Sequence, residues 1–307
     1  MEEKNGYSYH EEEGEEGGFF TDAIDHEILM HRDAHFGGRF DVMLDYYSED
    51  KVGINPEFDF ERIEYLAAIE KELGQNLAPV VLDEMEVERV ERARHAYLAF
   101  KKLYDNPPKK TEIPRLIADL ILSEEEEPTI EIEALVKEPE NALPELIALI
   151  KSDNAYDPLF PGYGYAPYLA TLCLTQIKDE RAIIPLFEML NRESVFGSEV
   201  VIEALAATGG KAEQFLIKVL KSQPKTHDNT DAACALSAFA PNDAIGRACL
   251  QELQNEKNWT NQIFCSYLLI GIEALKNSPL KTEIMELSQR EKLPSFIKNE
   301  LELLLKS

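Results

Sequence analysis

The sequence predicts an all-α protein, with helical hairpins stacked as a right-handed α-solenoid behind a less regular helical N-terminal region. Three observations lead there. Short alternating runs rich in Val, Ile and Thr between Asn-Gly or Asp-Gly turns, the mark of strands, are missing. Apolar residues recur at three- and four-residue spacing along most of the chain, the period of an amphipathic helix. In the second half, two kinds of helix alternate at a regular interval.

The elements follow in order. MEEKNGYSYHEEEGEEGG (1–18) has seven glutamates and little to bury, so burial cannot offset its ordering entropy and a disordered acidic tail is expected. TDAIDHEILMHRDAHF (21–36) reads as a helix capped by Thr21 or Asp22. Gly37-Gly38 ends it, because glycine accepts the left-handed backbone of a helix terminus. RFDVMLDYY then restarts a helix with Phe40, Met43, Leu44 and Tyr47 on one face, making a hairpin corner. FERIEYLAAIEKELGQ (60–75) is one helix. PVVLDEMEVERVERARHAYLAFKKLYD (79–105) reads as a single long helix with Pro79 in its first turn, stopping at the prolines of NPPKK. TEIPRLIADLILS (111–123) completes a front region over 19–125, either separate from the solenoid or its continuous irregular cap; a solvated EEEE connector follows, and TIEIEALVKEP (129–139) is a short helix into the first clear repeat.

From 126 to 307 the alternation sets in. Helices with a polar end begin near 142, 182, 212, 244 and 280, at intervals of about 30 to 40 residues. Between them lie helices richer in Ala and small residues: YLATLCLTQI, EVVIEALAAT, DAACALSAFA and NQIFCSYLLIGIEAL. One hairpin cannot bury its own apolar face, whereas stacked hairpins bury it against their neighbours. The stretches 168–191 and 202–222 carry an Ala/Leu-rich helix, a short Gly or Asp turn and a helix of the form AxxxLxxxL. Ala182, Leu186 and Leu190 fit that form, as do Ala212, Leu216 and Leu220. In this the chain resembles HEAT-like repeat proteins over about residues 140–307. The resemblance implies an architecture with an extended concave surface and says little about function.

Two stretches hold candidate site residues. In HRDAHFGGRFD (31–41), Ile24, Ile28, His31 and His35 fall on one helical face, while Asp33 points about 200° away. Two histidines four residues apart can chelate a transition metal, with Asp41 as a further ligand, although the glutamate of an HExxH motif is absent. The bland alternative is a pair of partly buried, hydrogen-bonded histidines. DNAYDPLFPGYGYAPY (153–168) concentrates Tyr156, Phe160, Tyr163, Tyr165 and Tyr168 in one loop. Such rings either tuck onto the repeats or form a partner-binding surface. Trp259 precedes a helix, where it reads as a hydrophobic staple.

Composition narrows the functions. The chain has 31 basic and 58 acidic residues, a net charge of −27. Such a surface repels phosphate backbones and anionic lipid, so neither nucleic acid nor membrane is expected as a partner and a basic protein surface is. There is no membrane-length apolar run and no signal-peptide pattern. Cys173, Cys234, Cys249 and Cys265 are scattered and read as buried thiols in a reducing, cytoplasmic setting. Nucleotide-binding glycine loops and the GxSxG nucleophile motif are absent. Deoxyhypusine hydroxylase, a HEAT-like enzyme class, holds di-iron with His-Glu dyads in several repeats. Here such dyads occur only as His10-Glu11 and His26-Glu27, outside the repeats. The expectation is therefore a scaffold without a cofactor that binds a basic protein partner. The alternative is a metal-dependent enzyme or metal sensor built on His31, His35 and Asp41.

Overall fold

The computed structural model describes residues 22–48, 55, 57–105, 112–123 and 128–306. The acidic tail, Thr21 and the EEEE run lie outside these residues. Among the described residues the regular elements are all helices, and there is no strand. The chain divides into two compact units, Met1–Arg92 and Ala93–Ser307.

The first unit contains α1 (Ala23–His35), α2 (Phe40–Ser48), α3 (Phe60–Leu73), α4 (Ala78–Val81) and the start of α5 (Glu84–Asp105). Asp22 and Asp25 form a reciprocal capping box at the head of α1. At its other end Gly37 and Gly38 take φ of 63° and 74°, and the Arg32 carbonyl accepts from both Phe36 and Gly38. Ile28, Leu29, Met43, Tyr47, Ile63 and Leu66 form the centre of this unit's core. Among them sits a fully buried Arg32. Its guanidinium donates to Asp33, Glu70 and Asn76 and lies 4.6 Å from the centre of the Phe40 ring. Asp25, also fully buried, accepts two bonds from Arg62.

Residues 79–105 are not one helix. Leu82 is extended (ψ 137°), and Asp83 and Glu86 exchange backbone-to-carboxylate bonds of 2.8 and 2.9 Å. Aspartate competes for backbone N–H groups, and with a glutamate three residues on it starts a new helix rather than continuing the old one. This breaks the predicted long helix into α4 and α5.

The second unit continues with α6 (Ile113–Ile121), α7 (Thr129–Val136), α8 (Pro139–Lys151), α9 (Ala166–Ile177), α10 (Ile183–Met189) and α11 (Glu199–Thr208). It ends with α12 (Gly210–Leu220), α13 (His227–Leu236), α14 (Asp243–Leu253), α15 (Gln262–Gly271), α16 (Lys281–Ser288) and α17 (Ser295–Lys306). Successive helices pack in pairs, α8 on α9, α10 on α11, α12 on α13, α14 on α15 and α16 on α17. Helices two apart also touch. The series α7, α9, α11, α13, α15 and α17 is continuous, and α6, α8 and α10 follow the same rule. A single apolar core runs from Leu120 to Leu301. Ala212, Leu216 and Leu220 are all fully buried, as the AxxxLxxxL spacing requires. Ala232, Ala233 and Ala235 give α13 a small-residue face that neighbours approach closely.

The turns are satisfied from inside. The Asn229 carboxamide donates to the Val219 and Leu220 carbonyls at the end of α12. Trp259 lies in a 3-10 turn, Glu256–Thr260, where its indole N–H donates to the Leu253 carbonyl at 2.7 Å and its rings pack on the core. It closes the end of α14 as well as preceding α15.

Candidate interaction surface

The loop between α8 and α9 is held by backbone geometry that only certain residues tolerate. Gly162, Tyr163 and Gly164 have successive φ values of 87°, 52° and 82°. A Cβ on Gly164 would lie 2.9 Å from the Tyr156 carbonyl oxygen, and one on Gly162 would lie 3.0 Å from Ile121 Cγ2. The chain turns back on itself here because glycine removes both clashes.

That fold turns most of the rings inward. The Tyr156 hydroxyl donates to the Ile150 carbonyl at 2.8 Å, and burial pushes its pKa up to about 12. Its ring stacks on Phe196 at 6.3 Å with the Arg192 guanidinium 5.2 Å from its centre. Phe160 is buried. Tyr163 is hydrogen-bonded to Tyr97, whose own hydroxyl is pushed up by burial. Tyr168 is half-buried, 5.7 Å from Phe196. Tyr165 meets Tyr168 edge-on at 6.5 Å and is 43% exposed. Of the five aromatic residues in the loop, Tyr165 is therefore the one presented to solvent, with Val195 exposed nearby. Phe196 and Arg192 complete the cluster from the α10–α11 loop. The Val-Phe pair inside the Ser/Gly-rich NRESVFGS was the available signal for them.

The hairpin of the first unit places His31 and His35 together, with ring centres 5.0 Å apart. His31 is buried and meets Phe58 edge-on at 4.9 Å. Asp41 sits on the surface, where hydrogen bonding to Arg39 holds its carboxyl below the usual carboxylate range. Among the described residues, no three His, Cys, Asp or Glu side chains are grouped to hold a metal ion. Asp33, though on another face from the histidines, is buried as the partner of Arg32. His26 instead joins Glu86 at 2.9 Å.

The charge is unevenly shared. Residues 1–92 hold 8 basic and 26 acidic residues, net −18, while residues 93–307 hold 23 and 32, net −9. In the first unit four of the five arginines pair with carboxylates, Arg32 with Asp33 and Glu70, Arg39 with Asp41, Arg62 with Asp25, and Arg89 with Glu27, while Arg92 is exposed. Glu57, Glu61, Glu64, Glu72, Glu84 and Glu88 are exposed. The same unit exposes Tyr46, Tyr65, Leu73, Val80 and Met85.

The four thiols are free, and Cys173, Cys249 and Cys265 are buried. Burial pushes the first two up to about 12 and the third to about 11. Cys234, on α13, is half-buried and hydrogen-bonded to the Tyr267 hydroxyl of α15. No helix among the described residues is long and apolar enough to cross a membrane. No protein-family model matches the chain, and no curated protein is significantly similar to it.

Proposed function

We propose that the chain is a cytoplasmic HEAT-like repeat protein, a right-handed α-solenoid over 126–307, that acts as a scaffold by binding a protein partner with a basic surface. The charge distribution carries this reading. A unit with net −18, four of whose five arginines pair with its own carboxylates, exposes carboxylates and large apolar side chains together. That combination attracts a cationic surface that also offers apolar contact, through steering and desolvated contact respectively. The repeat architecture is supported by the packing of helices two apart and by the continuous core beneath them. In the second unit Tyr165 is the contact we assign to the partner, and a Lys or Arg over its ring would contribute about 0.5–1 kcal/mol. Buried thiols held as thiols fit a reducing compartment.

A photo-crosslinking residue at Tyr65 or Tyr165 of the full chain, used in cells, tests the reading. A single major adduct whose joined segment is rich in Lys and Arg, and which disappears above about 0.5 M salt, is the expected result. Elemental analysis of untagged protein separates the competing metal reading. About one tightly held transition metal per chain, lost in His31→Ala/His35→Ala, would replace the scaffold with a metal site.

A further inference from the structure

No further inference is drawn: the strongest candidate, the side-chain cluster of Asp231 and Cys234 on α13 with Tyr267 on α15, is a lone half-buried thiol whose hydrogen bond lies within the cluster, and nothing in the structure points to a ligand there.

Discussion

Arg32 organises the first unit. A fully buried guanidinium would be very costly alone, and Asp33, Glu70, Asn76 and the Phe40 ring together satisfy it. Arg32→Ala would leave Asp33 and Glu70 without their cation. We expect a loss of about 3–5 kcal/mol in this unit, read as lost hydrogen-exchange protection across α1 and α3. Nothing in the linear pattern singled out Arg32. Its neighbours His31 and His35 drew attention because their spacing extends the apolar stripe, whereas two of the partners of Arg32, Glu70 and Asn76, lie about 40 residues away. Asp231 shows the opposite situation. Its Oδ2 is buried and accepts no hydrogen bond, and burial, with Asp228 adding, raises its pKa against the pull of His227. A raised carboxyl pKa means that the native chain holds the proton more tightly than the unfolded one. Stability therefore falls as pH rises through the carboxylate range, and the penalty is complete at neutral pH. Asp231→Asn is expected to raise the melting temperature at pH 7, with the gain shrinking as pH falls through the carboxylate range and gone about a unit below the ordinary carboxyl value of 3.8. Trp259 fluorescence follows the transition.

At the scale of elements, the helices of the second unit were legible and the joints between helices less so. The AxxxLxxxL spacing placed Ala212, Leu216 and Leu220 on one face because a helix stacked on neighbours must bury that stripe, and all three are buried. The break at Leu82 and Asp83 was missed because apolar periodicity continues through it. Asp83 and Glu86 were present as a capping signal inside an acidic run that masked them. Asp83→Ala should cost α5 about 1 kcal/mol and increase exchange in its first turn. Close approach between elements also depends on residues that a periodicity reading passes over. A Cβ on Gly246 of α14 would lie 2.6 Å from Cγ of the buried Leu275, and one on Gly271 would lie 2.4 Å from Cys249 Sγ. Gly246→Ala is expected to destabilise the second unit by about 1–3 kcal/mol, measured by denaturant titration with Trp259 as reporter. The aromatic loop was legible as unusual, but which ring faces solvent was not. That depends on the positive φ values at 162–164 and on Phe196, which comes from a different loop.

For the whole molecule, the all-helical fold followed from composition and period, while the distribution of charge needed the division into units. A net charge of −27 read along the chain suggested an acidic surface, with part of the charge in the 1–18 tail. Divided between the two units, −18 of it falls on residues 1–92, of which −6 lies within 1–18, and −9 falls on residues 93–307. Self-repulsion opposes compaction in proportion, so raising NaCl from about 0.02 to 0.3 M should stabilise the first unit more than the second. Hydrogen exchange resolved by unit would show this, and equal responses in both would contradict it. The thiols have a practical consequence. Three of the four are shut in the core and held protonated, which leaves Cys234 on α13 as the one that solvent reaches. The native chain should therefore take up a single maleimide dye. With a sole tryptophan at Trp259 in the same unit, it carries a donor and a unique attachment point for an acceptor, an optical ruler along its own stack of helices that requires no mutation.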